Sequence, residues 1–377
     1  MNIVQLGQVF TPEPIVEKML KLRQNFGIIL EPCVGAGVFF NKLSDPKIGI
    51  EIDPRYAPKG CFIMDFFENY GLENKFKTII GNPPYVTYKN IYPGTKEKLK
   101  PWSCIFDERT NLYLFFIFKC LSHLEPGGEL IFITPRDFIK ATSARKLNKW
   151  MYQQGTITHF YELGDEVVFS DATPNCVIWR YEAENLSHKT ETNDGLKNQI
   201  LMDGQICFTS GEYIVPFKDL FFVKVGGVSG LDHLYVHENG NQEFVCSYTK
   251  KTGKTKRMFY NIKNDYLLKY KEKLLARKIK KFDETDWWQW GREYYVSDLP
   301  RVYVNTKTRQ NNPFFTHPCR AYDGSVLAIF IKINILEKEA ADKLNKVNWQ
   351  ELGFKVGGRY CFSQRSLETI MLPSKLF

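Results

Sequence analysis

The 377-residue chain contains no run of 18 apolar residues, which excludes an ordinary membrane-spanning helix, and the apolar run at residues 112–117 is only long enough for a buried helix segment. Its first ten residues lack a charged stretch followed by an apolar one, so no secretory leader is expected. The six histidines are scattered. The nine cysteines form no C-x-x-C pair and their number is odd, which argues against a metal site or a disulfide framework and for reduced thiols in a cytosolic protein. Net charge is missing from the first half: residues 1–200 hold 23 basic and 23 acidic side chains, residues 201–377 hold 28 and 19. The whole excess of +9 therefore lies in the second part. That predicts a polyanion gripped there and a near-neutral first half with another task. The length predicts two domains, residues 1–212 and 213–377.

What is present centres on residues 79–85, Ile-Ile-Gly-Asn-Pro-Pro-Tyr. An apolar run feeds a glycine, and two prolines then lock φ and withhold their N–H groups, so the backbone leaves a strand in a stiff, extended form. Carbonyls there have no ladder partners. Asn82 and the Pro83 carbonyl can both offer acceptors to one external donor, with the Tyr85 ring close by. Two acceptors and a flat ring suit an amino group on a planar heterocycle. Chance places Asn-Pro-Pro-Tyr in a chain this long roughly once in a thousand sequences, at about 5% usage per position.

Upstream, Thr11 is expected to cap a helix with Pro12 at its first position. Residues 28–30 read as a short buried strand, and Glu31, Cys33, Gly35 and Gly37 turn it toward a helix expected near Val38. Glycines at that place let a ligand approach the backbone outside the carboxyl end of a parallel strand. A second strand ends in Glu51, Ile52 and Asp53, with an acid placed to accept from two ribose hydroxyls. Asp65 and Phe66 end a third, where the acid can hold an adenine amino group and the ring can pack on the base. No third glycine and no phosphate-binding lysine accompany them, so the ligand is expected to be a nucleoside without a pyrophosphate. Residues 87–107 show no clear period and read as a mobile loop over the site. Apolar helices around residues 111–121 and 147–152 then alternate with strands at 129–134, 157–163 and 176–181, with a loop at 166–172. Such alternation specifies a doubly wound α/β sheet.

In this order the blocks resemble the catalytic domain of the gamma-class, TaqI-like adenine-N6 DNA methyltransferases of type II restriction-modification systems. The shared motifs are Thr-Pro, Glu-Pro-x-x-Gly-x-Gly, Glu-Ile-Asp, Asp-Phe and Asn-Pro-Pro-Tyr, and residues 8–181 carry them. The resemblance implies a Rossmann-like methyltransferase fold followed by a target-recognition domain. It implies S-adenosylmethionine held by Thr11, Glu31, Cys33, Glu51, Ile52, Asp65, Phe66, Pro84 and Phe116, over the turn containing Gly35 and Gly37. Asn82 and Pro83 would bind the target amino group, and Tyr85 and Phe169 would sandwich the base. Cys33 stands where the family often has a small residue. Double-stranded DNA and a cognate restriction endonuclease are the implied partners, for a cytoplasmic bacterial monomer at the nucleoid.

In the second half, residues 183–199 are polar and read as a surface excursion or linker. Beyond them come a basic stretch with Lys250, Lys251, Lys254, Lys256 and Arg257, a cationic segment at 269–281, the tryptophan cluster before Arg292, and residues 301–310 with Arg309. Cations interleaved with aromatic and amide side chains fit phosphate clamping with base-edge readout, and Tyr360 is a candidate wedge for the gap left by a flipped base. Rival readings are an RNA base methyltransferase, a release-factor glutamine methyltransferase, and a non-catalytic DNA-binding specificity protein.

Overall fold

The computed structural model describes residues 11–44, 46–68, 71, 73–163, 175–356 and 358–377. The chain divides into two compact units, residues 1–211 and 212–377. The first opens with α1 (Glu13–Lys21), whose apolar Ile15, Val16 and Met19 share one buried face. Thr11 does not cap this helix. Pro12 occupies the capping position at φ −62°, with no side-chain cap bond, and Thr11 falls one residue too early to reach the first turn.

Ten strands follow: β1 (Ile29–Glu31), β2 (Lys47–Glu51), β3 (Phe62–Ile63), β4 (Phe76–Gly81), β5 (Leu124–Pro135), β6 (Gly155–Glu162), β7 (Cys176–Ala183), β8 (Lys189–Thr192), β9 (Gly195–Met202) and β10 (Gln205–Thr209). The helices α2 (Pro93–Leu99), α3 (Leu112–Ser122) and α4 (Arg145–Gln154) lie among them. All ten strands form one sheet in the order β10-β9-β8-β6-β7-β5-β4-β1-β2-β3. From β3 to β5 every pairing is parallel, and β7 enters antiparallel between β5 and β6.

Strand alternation assigns the core to both faces of this sheet. Leu30, Ile79, Leu130, Phe132, Val177 and Trp179 pack with α3 and Leu147 of α4 on one side. Their neighbours Ile29, Ile80, Ile131, Ile133 and Ile178 pack with α1, Phe39 and Leu43 on the other. Burial on both faces explains why these strands read as continuous apolar runs, and it realises the doubly wound α/β class. Chain order reverses between β1 and β4, so their carboxyl ends open the crevice where open α/β sheets take ligands.

Three stretches differ from the sequence reading. The helix expected near Val38 is a pair of turns, with Asn41 N bonded to Gly37 O and Leu43 N to Phe39 O. The Lys47 ammonium then covers the carbonyls of Phe40 and Leu43 at 2.8 Å, ending the helical run. Residues 87–107 contain α2, with Ile91, Thr95 and Leu99 buried at intervals of four. Residues 183–199 include β8 and much of β9, polar because their partners are internal: Thr190 and Gln199 are buried, and the Gln199 Oε1 accepts from Ile157 N at 2.9 Å.

The second unit holds an antiparallel sheet in which Val326–Ile331 lies between Phe221–Val225 and Arg301–Asn305, and Phe314–Phe315 pairs with the latter. Trp287 and Trp290 are core residues beside Tyr235 and Phe244. Arg301, read as part of a cationic surface, is buried, with its guanidinium on the carbonyls of Leu299 and Arg320 and over the Phe330 ring.

Candidate active site

At the crevice, a cavity encloses about 990 Å³ of empty space, its open mouth included. Its floor is the turn after β1. Gly35 has φ +55° and donates its N–H to Glu51 Oε2 at 2.7 Å, while the other oxygen of Glu51 accepts from Asp53 N at 2.9 Å. One carboxylate thus locks the turn after β1 to the end of β2. Asp53 is outside the cavity lining; its carboxylate is paired with the Arg55 guanidinium at 2.9 Å, which holds its pKa down at about 2.

Glu31 is the unusual group. It is buried, and its Oε2 has no hydrogen-bond partner. Burial pushes its pKa well above the ordinary carboxylate value and the nearby Glu51 adds to this, against Lys47 and the Phe40 backbone. A desolvated carboxyl with an unused oxygen in a cavity wall is a natural partner for a ligand cation or hydroxyl.

On the opposite side, β4 ends at Gly81 and delivers Asn82. The Asn82 Nδ2 donates to Thr11 Oγ1 at 3.1 Å, and its backbone carbonyl accepts from Cys33 Sγ at 3.3 Å. The first bond commits the amide's donor end to the protein, so the end suited to an amino group is the acceptor. Thr11, excluded as a helix cap, is thereby an orienting partner of Asn82. Burial drives the Cys33 thiol's pKa well up, which keeps it a neutral hydrogen-bond donor.

The far wall is aromatic. Phe66 stacks on Phe116 with centroids 5.4 Å apart, and Lys119, on the same helix as Phe116, reaches the Phe66 carbonyl. Asp65 is held on both oxygens: Oδ1 accepts from Phe67 N at 2.9 Å and Oδ2 from Thr95 Oγ1 at 2.6 Å.

Of the residues expected around the cofactor, Thr11, Glu31, Cys33, Gly35, Glu51, Ile52, Asp65, Phe66, Pro84 and Phe116 all line the cavity, together with Asn82. Gly37 does not. Its role is backbone geometry, at φ +84°, where a Cβ would meet Pro58 Cγ at 2.5 Å. Pro83 and Tyr85 are also outside the lining. The Tyr85 hydroxyl donates to Ile133 O at 2.9 Å and its ring packs edge-on against Tyr113. Phe169 lies outside the described residues. Tyr56, Met64, Tyr92, Thr95 and Leu112 also line the cavity and were not anticipated; for Thr95 the four-residue spacing of Ile91, Thr95 and Leu99 was the available signal.

In the second unit, Lys251, Lys254, Arg257, Arg292 and Arg309 are exposed, while Lys250 and Tyr360 are half-buried. Lys256 is corrected from a phosphate contact to an internal ion pair. Its strand turns it inward, where the ammonium lies 2.7 Å from buried Asp323.

Residues 48–169 match the family model of the Eco57I restriction-modification methylase. The chain is similar to the type II methyltransferase M.HincII of Haemophilus influenzae, 31% identical over 228 residues, covering 57% of this chain and 45% of that one. It is also similar to M.AccI of Acinetobacter calcoaceticus, 28% identical over 214 residues, covering 50% and 39%. The chain thus spans less than half the length of these curated relatives. Among solved structures, a type IIL restriction-modification enzyme, MmeI, in complex with DNA aligns at a TM-score of 0.47 and 10% identity, covering 96% of this chain and 64% of that one.

Proposed function

We propose, from the match of residues 48–169 to the Eco57I restriction-modification methylase model, that the chain is a site-specific DNA methyltransferase acting on the N6 amino group of an adenine rotated out of the duplex. The observation that carries this reading is the meeting of Asn82, bonded to Thr11, with Glu31, Glu51 and Asp65 around one cavity. S-adenosylmethionine fits the donor set: Glu31 answers a cationic group, Glu51 and Ile52 the ribose, Asp65 and Phe66 the adenine. When bound, it supplies an electrophilic methyl on a positively charged sulfur.

The adenine amino lone pair is delocalised into its ring, so the protein's task is to fix geometry. Asn82 and the Pro83 carbonyl accept the two N–H bonds and leave the lone pair directed at the methyl, a matter of positioning and preorganised electrostatics. Extracting the base from a duplex costs a few kcal/mol, and an aromatic stacking contact returns about 1–3 kcal/mol. Tyr85 and Phe169 are assigned to that capture. For Tyr85 to stack, its ring must remain available beside Asn82 while its hydroxyl stays tethered to Ile133. The second unit, with 28 basic against 18 acidic residues, grips the duplex through Lys250, Lys251, Lys254, Arg257, Arg292 and Arg309, with Tyr360 as the wedge.

Purified protein with tritiated S-adenosylmethionine should label unmethylated duplex DNA, and digestion should return N6-methyladenine. Label in transfer RNA or in release factor instead, with DNA unmodified, would transfer the chain to one of the rival acceptor classes.

A further inference from the structure

We propose that Thr95 and Lys98 of α2 are specificity-setting positioning residues, which fix Asp65 as the acceptor that selects a 6-aminopurine in the donor nucleoside. The proposal deepens the reading of the cavity as an S-adenosylmethionine site and rests on it.

Asp65 is 7% exposed, and a carboxylate so placed needs defined partners. It has three. Phe67 N supplies Oδ1; Thr95 Oγ1 and, at 3.6 Å, the Lys98 ammonium supply Oδ2. The Lys98 ammonium also lies 3.3 Å from Glu68, so it braces both ends of the turn that carries Phe66. Thr95 is itself buried and lines the cavity. A hydroxyl has a single proton, and this one is committed to Asp65. The surface presented beside the Phe66 ring is therefore an oriented acceptor. It welcomes the N–H of a 6-amino group and sets lone pair against lone pair for a 6-oxo purine, the kind of mismatch that discriminates strongly because it leaves buried polar groups unpaired. Without Thr95 and Lys98 the carboxylate is free to rotate out of that orientation, and the acceptor is no longer aimed at the 6-position.

The test is calorimetric binding to the full chain of S-adenosylhomocysteine and of its 6-oxo counterpart, S-inosylhomocysteine. The unaltered protein should bind the first and reject the second. Thr95→Val should weaken S-adenosylhomocysteine about 10-fold, the loss of one hydrogen bond to a charged group, and narrow the preference between the two ligands; Thr95→Ser should restore both. Lys98→Met, at a partly exposed side chain that does not threaten folding, should narrow the preference in the same direction. An unchanged ratio of the two affinities in Thr95→Val, or in Lys98→Met should the valine variant not fold, overturns the proposal while leaving the cofactor site standing. Failure of the unaltered protein to bind either nucleoside or S-adenosylmethionine overturns the cofactor reading and this proposal with it.

Discussion

Burial disturbs the ionisation of Glu31, in the cavity wall, and of Lys119, which holds the Phe66 carbonyl. Burial raises the Glu31 pKa, so part of the ligand-free protein carries it protonated at a pH above the ordinary carboxylate range. A cationic ligand beside it favours the carboxylate and lowers that pKa. Binding of S-adenosylmethionine should then release protons, and affinity should rise with pH until Glu31 is ionised in the free protein. Calorimetry in buffers of different ionisation enthalpy would show the release, and Glu31→Gln should abolish it. Lys119 works in the opposite sense. Burial lowers its pKa from 10.5 to about 8, so between those values the unfolded chain holds a proton that the folded one does not. Stability therefore gains from rising pH across that window. Measured by urea unfolding, wild type should improve relative to Lys119→Met from about pH 8 to 10.5, and a parallel pH response of the two would remove Lys119 from the linkage. The acids and the Asn-Pro-Pro-Tyr tetrad were legible from residue type because their chemistry is tied to strand ends. Thr11 was legible as functional only for its resemblance; the bond to Asn82 joins residues 71 apart in sequence, and local rules see nothing at that separation.

At the scale of elements, the parallel strands announced themselves because both of their faces are buried, whereas β8 and β9 did not. Their composition is that of a loop, since their polar side chains are satisfied inside the sheet by the backbone of β6: the Thr190 Oγ1 donates to Ile157 O at 2.6 Å, and Gln199 takes the Ile157 N–H. Gln199→Ala should leave that buried N–H unmatched and cost about 1–3 kcal/mol. A chemical-denaturation midpoint indistinguishable from wild type would make this internal bond dispensable. The segment after the tetrad was misread for a related reason. Its lysines and tyrosines are at least partly exposed and hide a period carried by three residues, Ile91, Thr95 and Leu99, so α2 looked like irregular chain although it builds one wall of the cavity.

For the molecule as a whole, charge was the most transparent property of the sequence and the least transparent in detail. The excess of cations is confined to the second unit, yet Arg301 and Lys256 are spent internally, on backbone carbonyls and on Asp323. Only burial separates those from the exposed cations that remain for a polyanion. Duplex affinity should fall linearly in log–log form as salt rises, with a slope set by the number of phosphates contacted. Replacing Lys251 and Lys254 together by alanine should flatten that slope, while Lys256→Ala should act on stability instead. A salt-independent affinity would separate the second unit from DNA.

The account turns on Asn82 shaping an amino group for attack beside a bound methyl donor. Its most direct test is single-turnover methyl transfer to duplex DNA by Asn82→Ala, with S-adenosylmethionine affinity measured on the same preparation. The transfer rate should fall by roughly 10²-fold or more, as for the loss of one preorganised polar group, while the donor still binds. Near-normal transfer by that variant would contradict the account.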